Sequence, residues 1–291
     1  MSYEKAGKIA AEALQYGRRL IKPGIKLSEV VKKVEEKIIA DKGAFAFPPQ
    51  ISMNNITAHY YPDPSDDTEF KEEDLVKLDL GVQINGHIAD TALTVDLSEN
   101  NEHLELVKAS KDALKEALTL FTPETPLTKI GKAIEEVIVG YGFQPIRNLS
   151  GHEIKPYELH AGLTVPNFNN KDRTPLEENQ VFAVEPFATT GDGYVKDGKP
   201  SGIYKLVNPK NSRSGRDVLN FIIDNFKTLP FHKSQILKKF GDFKGSFGLR
   251  ILEREEIIHQ YPQLVERSGG IVSQAEHTVI VKDKPIITTK I

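Results

Sequence analysis

The chain has 291 residues, 39% of them hydrophobic, and a formal net charge of −3 at pH 7. That length allows one large domain or two smaller ones, and the charge gives no strong overall pull toward nucleic acid or membrane surfaces. With no cysteine, a disulfide framework, a zinc–thiolate centre and a cysteine nucleophile are all excluded.

The first five residues, Met1-Ser2-Tyr3-Glu4-Lys5, are charged and lack the apolar core of a signal peptide. No apolar run approaches the roughly 18 residues of a spanning helix, so the expectation is a soluble, cytoplasmic protein with no membrane partner. An amphipathic helix is expected over about 4–21. Residues 22–39, KPGIKLSEVVKKVEEKII, predict a second helix, with Ser28 at its start as a possible cap. The same pattern returns exactly one hundred residues on, as TPETPLTKIGKAIEEVIV at 122–139, after another expected helix over about 102–120. Pro23 matches Pro123, Ser28 matches Thr128, Val30 and Val34 match Ile130 and Ile134, and Glu35-Glu36 matches Glu135-Glu136. The matched proline, cap position and glutamate pair point to an internal duplication.

His59 lies in a loop after a short strand, where packing or surface exposure is the ordinary role of a histidine. Residues 75–82 and 87–96 predict two strands around Asn85-Gly86, a strong two-residue hairpin signal. In that register Asp79 faces Ala92 and Asp90 faces Gly81. Side chains alternate along a strand, so Asp79, Gly81, Asp90 and Ala92 share one face. The two aspartates become diagonal neighbours, with backbones about 7–8 Å apart. Gly81 leaves room beside them. The plain alternative is a hairpin with two solvated aspartates.

His152 and His160 follow in GHEIKPYELHAG at 151–162, where Pro156 argues for a shaped loop or strand pair over a continuous helix. Glu185 sits in VFAVEPF at 181–187, and Glu276 directly precedes the apolar stretch HTVIV. His277, next on that strand, points to the opposite face. His87, His103, His232 and His259 have no distinguishing context. Acidic side chains are almost never fully buried unless paired, and an isolated buried carboxylate protonates instead of staying charged. Asp79, Asp90, Glu185 and Glu276, with the His152 imidazole, therefore predict a site for a pair of divalent metal ions. The mixed N/O set leaves Mn, Fe, Co and Zn open.

These residues divide between the two halves. Asp79 and Asp90 are 11 residues apart, whereas Glu185 and Glu276 are 91 apart. The excess predicts an inserted helical subdomain at 208–268, within a catalytic domain of 1–207 and 269–291. Helices are expected at about 215–227 and 232–240, with a further short one at 253–258. Residues 205–254 carry 11 Lys or Arg against four Asp or Glu, a local net of +7. A solvated basic face is the plain reading of that excess, and contact with ribosomal RNA is the functional one.

Taken together, these blocks resemble the methionine aminopeptidases, specifically the type 2 branch in its short archaeal form. The resemblance covers nearly the whole chain. It runs through Phe47-Pro48, Ala58-His59-Tyr60, Lys77-Leu78-Asp79-Leu80-Gly81, Ala89-Asp90-Thr91-Ala92, Gly151-His152, His160-Ala161-Gly162, Ala183-Val184-Glu185-Pro186 and Gln274-Ala275-Glu276-His277-Thr278. All five ligand candidates in this order, with a long insert before the last, are highly specific. The expectation is a chain that begins almost directly with the catalytic region, without the charged extension of eukaryotic type 2 enzymes. The resemblance implies an α+β pita-bread fold of two pseudo-symmetric halves around a curved, mainly antiparallel sheet. It implies that Asp79 chelates one metal, Asp90 and Glu276 bridge both, and His152 and Glu185 complete the other. His59 and His160 match histidines that address the scissile peptide, and Glu185 is the candidate proton relay. Phe47 and Tyr261 match positions lining a methionine pocket. The implied activity is removal of an N-terminal methionine from peptides and nascent chains, with a small second residue preferred. Proline-specific peptidases share this fold and a similar ligand set, but usually carry a further N-terminal domain. Some pita-bread relatives are noncatalytic binding proteins.

Overall fold

The computed structural model describes residues 2–290. Its first half opens with helices α1 (Ser2–Leu20) and α2 (Leu27–Ala40). Strands β1 (Ala44–Met53), β2 (Ile56–Ala58), β3 (Leu75–Ile84) and β4 (His87–Asp96) follow. The second half repeats two helices, α3 (Leu104–Leu118) and α4 (Leu127–Gly140). Then come β5 (Gln144–Pro145), β6 (Ser150–Ile154), β7 (Thr164–Pro166), β8 (Val181–Val184), β9 (Phe187–Thr189) and the long β10 (Val195–Leu206). Helix α5 (Arg216–Phe226), strand β11 (Phe231–His232), and helices α6 (Lys233–Phe240) and α7 (Asp242–Arg254) lead to β12 (Ile258–Glu266). Strands β13 (Val272–Gln274), β14 (His277–Ile280) and β15 (Ile286–Ile287) close the described chain.

All strand pairings are antiparallel, in sheets of order β1-β3-β4, β11-β10-β12-β2, β13-β9-β5 and β15-β14-β8-β6-β7. The duplication is visible in three dimensions. Leu27, Val30, Val34 and Ile38 of α2 are buried, and so are Leu127, Ile130, Ile134 and Ile138 of α4. Each helix begins with the same tie, since the Leu27 amide donates to Thr68 O and the Leu127 amide to Thr174 O, both at 3.0 Å. Ser28 and Thr128 do not cap these helices. The caps are Lys26 and Pro126, neither with a side-chain bond. Ser28 Oγ instead donates to Asp66 O, and Thr128 Oγ1 to Asn169 Oδ1, so each pins its helix to a later loop.

The hairpin register is the one that the Asn85-Gly86 turn dictates: Asp79 pairs with Ala92, and Gly81 with Asp90. Along β3 the alternate residues Val76, Leu78, Leu80 and Val82 pack with α1 and α2 in one apolar core, which leaves Asp79 on the other face. A second core gathers α3 and α4 with Phe182, Val184 and Val279.

Hydroxyls stitch the two halves together where a full ladder is missing. Ala92 and Glu276 form an isolated bridge. Thr278 Oγ1 accepts from the Asp90 amide at 2.7 Å and donates to Asp90 O at 2.8 Å. Thr94 Oγ1 does the same for Gln274, and Thr91 Oγ1 donates to Glu276 O.

The chain between β10 and β12 has its own apolar cluster, including Val218, Ile222, Phe231, Ile236, Leu249 and Leu252. No short helix forms at 253–258. Glu253 and Arg254 end α7, and Ile258 starts β12. Helix α7 itself escapes the sequence pattern because Gly245 and Gly248 interrupt it. Both are buried, and a Cβ on Gly248 would lie 2.5 Å from Val218 Cγ2. No helix among the described residues is long and apolar enough to cross a membrane.

Candidate active site

Pro48 and Pro49 cannot donate to a ladder, and β1 has register breaks on both sides of Phe47. The irregularity lays Phe47 opposite Gly81 and aims Gln50 at the turn after β2. There the Gln50 Oε1 accepts from the His59 amide at 2.8 Å. His59 has φ +65°, the left-handed region that disfavours ordinary side chains. Such strain persists where the surroundings over-determine it, here the Gln50 bond and a 3.0 Å contact from His59 Nδ1 to Pro262 O. A carbonyl oxygen only accepts, so Nδ1 carries the proton and Nε2 of the neutral ring is left as an acceptor.

A cleft of about 500 Å³ at the seam between the halves is lined by all nine side chains singled out from the sequence. They are the ligand candidates Asp79, Asp90, His152, Glu185 and Glu276, the histidines His59 and His160, and the aromatic residues Phe47 and Tyr261. Asp79 and Asp90 come from the hairpin, and His152 from β6, where it pairs with Ala183. Glu185 and Glu276 stand in short breaks, one between β8 and β9, the other between β13 and β14. His152 Nε2 is 3.6 Å from Asp90 Oδ2 and 3.8 Å from Glu185 Oε1. Ligand atoms of Asp90, His152 and Glu276 all lie within 4.8 Å of one another. The His160 ring stands edge-on to His152, with centroids 4.3 Å apart, and the His59 ring meets Tyr261 at 5.3 Å.

Electrostatically this cluster is unfinished without a cation. Asp90 and Glu276 are 3% and 2% exposed. Among the described residues, buried Asp79 Oδ1, Asp90 Oδ1 and Glu276 Oε2 have no hydrogen-bond partner. Burial pushes the Asp79 carboxyl up to about 7, against a 3.2 Å bond from Gln274 Nε2 that lowers it. Burial raises Asp90, Glu185 and Glu276 well above the carboxylate range, and their mutual repulsion adds to it. Burial also pushes His152 down to about 4 and His160 to about 2, so both rings are neutral at pH 7. Orphaned carboxylate oxygens beside a neutral imidazole fit a divalent first-row metal, whose charge offsets the repulsion.

Several functional neighbours are silent in the sequence. Gln50, Leu159, Ile203 and Pro230, with Ala58, complete the cleft. Gln274 and Thr278 hold Asp79 and the Asp90 backbone, and Asn167 donates to Glu185 O at 3.4 Å. The room beside Gly81 is not empty either. A Cβ there would lie 2.3 Å from Phe47 Cε1, so the missing side chain seats the aromatic ring.

A cleft whose buried acids and imidazole could hold a metal, set between two similar halves of an antiparallel fold, fits a class of metallopeptidase. Residues 2–283 match the model of metallopeptidase family M24, and the chain belongs to that family. Within it, the chain is 45% identical over 294 residues to the methionine aminopeptidase of Methanocaldococcus jannaschii, covering 99% of this chain and 98% of that one. It is 45% identical to that of Archaeoglobus fulgidus (98% and 97% covered) and 42% identical to that of Pyrococcus horikoshii (98% of each). Among solved structures, the fold matches methionine aminopeptidase from Thermotoga maritima with a TM-score of 0.73 at 23% identity, covering 99% and 95% of the two chains. A thermophilic Arx1 matches at 0.85 and 17% identity, covering 99% and 89%. Prolidase from Pyrococcus furiosus matches at 0.61 and 20% identity, but this chain covers only 62% of it.

Proposed function

We propose that this protein hydrolyses the first peptide bond of chains that begin with methionine, with divalent metal ions held at the seam. The observation that carries the reading is the cluster of buried, partnerless carboxylate oxygens around His152, in a chain that matches archaeal methionine aminopeptidases along nearly its whole length. In our assignment these side chains would hold two ions: Asp79 would serve one, Asp90 and Glu276 would be shared by both, and His152 and Glu185 would be direct ligands of the other. Such ions supply a nucleophile at neutral pH and polarise the carbonyl. Their identity stays open among Mn, Fe, Co and Zn.

The chain's own groups then have distinct tasks. His59 Nε2, left as an acceptor by the Pro262 contact, takes a hydrogen bond from a substrate N–H. The neutral His160 ring donates to the carbonyl oxygen as negative charge develops there; one such donor is typically worth about 3–4 kcal/mol in the transition state. Glu185 takes the proton lost by the attacking water and passes it to the departing amine. Phe47 and Tyr261 hold the methionine side chain, whose thioether packs favourably on aromatic rings. Crowding past the cleft favours a small second residue.

We assign 208–268 as an inserted subdomain and 1–207 with 269–291 as the catalytic domain. The insert's basic excess is joined by Phe243, 88% exposed, and Phe247 one turn along α7. Cations with exposed aromatic rings suit RNA, which supports contact with the ribosome near nascent chains in the cytoplasm. Unchanged ribosome association after reversal of several insert charges would rule that contact out. For the activity itself, purified protein is titrated with each metal against Met-Ala and Xaa-Pro peptides. Metal-dependent release of methionine from Met-Ala is expected; selective cleavage of Xaa-Pro would overturn the assignment.

A further inference from the structure

A second, larger cleft of about 1420 Å³ opens between α1 and α3. Its Leu93 lies on the helix-covered face of the sheet, opposite the active-site residue Asp90 along β4. Leu14, Leu93, Leu114, Leu118 and Ile287 supply apolar lining. Lys111 and Lys115 are one turn apart on α3, and Arg18 stands across from them on α1. Lys290 also lines the cleft, and among the described residues neither it nor any of the other three cations is in a salt bridge. Asp112, the acid next to Lys111, is engaged by the Tyr141 hydroxyl. Partial burial lowers the Lys111 ammonium and the charge of Arg18 lowers it further, against a smaller attraction from Asp112, so the two cations repel across the opening. Glu276 is the one acidic residue of the lining, and it is 2% exposed and belongs to the active-site cluster.

We propose that this cleft binds one free amphiphilic anion, an aliphatic tail with a single acidic head group. The tail lies on the leucine and isoleucine wall, and the head sits between Arg18, Lys111 and Lys115. A recess of this size suits a small molecule, and three facing cations without an acid between them define the charge of the head. The assignment does not depend on the peptidase reading, because none of these cations lines the active-site cleft.

Isothermal titration of the full-length, metal-loaded protein with decanoate tests it, with decanol and acetate as probes of tail and head alone. Decanoate is expected to saturate at one per chain, with decanol and acetate at least tenfold weaker. The double variant Arg18→Glu/Lys111→Glu, both exposed positions, should lose at least tenfold in decanoate affinity with an unchanged circular dichroism spectrum. Methyl NMR should place the perturbations at Leu93, Leu114, Leu118 and Ile287. Equal binding of decanol, unchanged affinity in the double variant, or perturbations centred on Ile203 of the active-site cleft would each overturn the proposal.

Discussion

In the first half of the molecule, Asp79 and Asp90 stand on adjacent strands joined by a two-residue turn. In the second half, Glu185 and Glu276 stand in strand breaks, and the chain between them forms β9 to β13 with three helices. The hairpin fixes its carboxylates locally, so short aspartate side chains reach the cleft. The glutamates are placed by long-range contacts: the bridge from Glu276 to Ala92, and the Asn167 bond to Glu185 O. That looser connection brings Ile203, Pro230 and Tyr261 to the same cleft. One half thus places its proposed metal ligands through local pairing, whereas the other places them through distant contacts that also build the proposed substrate wall.

The largest effects should come from deleting a ligand in either half. Asp90→Ala and Glu276→Ala are each expected to reduce kcat/KM for a Met-Ala peptide by more than the roughly 100-fold limit typical of outer-shell partners. Metal content measured by mass spectrometry should fall in parallel. An active Glu276→Ala protein would break the idea that both halves serve one site. Next in size is Gln274→Ala, which frees Asp79 Oδ2. A loss of about 10- to 100-fold in metal affinity is expected, read by competition with a chelating dye. Retained affinity would show that the hairpin alone fixes Asp79.

Gly81→Ala probes where the rigid half meets the substrate wall. The new methyl displaces Phe47, and a change of about one methylene in an apolar pocket costs tenfold or more in kcat/KM. The expected signature is a raised KM for methionyl peptides with metal affinity preserved. Unchanged KM would remove Phe47 from the pocket.

The metal-free protein should show an inverted pH response. Asp79 is raised from its ordinary value to about 7, and Asp90, Glu185 and Glu276 are raised further by burial and repulsion. The folded state then holds protons on these carboxylates that the unfolded chain has lost, a contribution that falls as pH rises from about 4 through 7 and beyond. The depressed His152 and His160 oppose it only below about 6.5, so the net fall is steepest above that pH. Calorimetry of chelator-treated protein should give a Tm several degrees lower at pH 8 than at pH 5.5. Divalent metal should restore it at pH 8, and Asp79→Asn should raise the metal-free value there. A metal-free Tm that climbs with pH would contradict the burial of four charges.

Much of this was legible in the sequence, and the boundary has a physical cause. Asn85-Gly86 specifies a turn, and a turn specifies a register, so the Asp79 and Asp90 pairing follows from local chemistry. Apolar periodicity located α2 and α4 within a few residues. Side chains whose partners are distant in the chain gave no signal of their role, even inside a recognised block: Thr278 bonds Asp90 across 188 residues, and Gln274 bonds Asp79 across 195. Helix α7 was hidden because Gly245 and Gly248 are chosen for close packing and not for helix propensity.

Ser28 and Thr128 test the duplication at its finest grain. Their alignment suggested equivalent caps, and both instead donate from the first turn of a helix to a later loop. The acceptors differ. Ser28 meets the backbone carbonyl of Asp66 in a half-buried setting, whereas Thr128 meets the side chain of Asn169 in an exposed one. A hydrogen bond contributes about 0.5–1.5 kcal/mol net, and the cost of losing one grows when the abandoned partner is shielded from water. Ser28→Ala should therefore lie toward the upper end of that range in denaturant unfolding and Thr128→Ala toward the lower end. Equal costs would mean that the loops, not the hydroxyl bonds, hold the helix starts. A larger cost at Thr128 would mean that the second half, with its long connection, depends more on this anchor than the locally closed first half does.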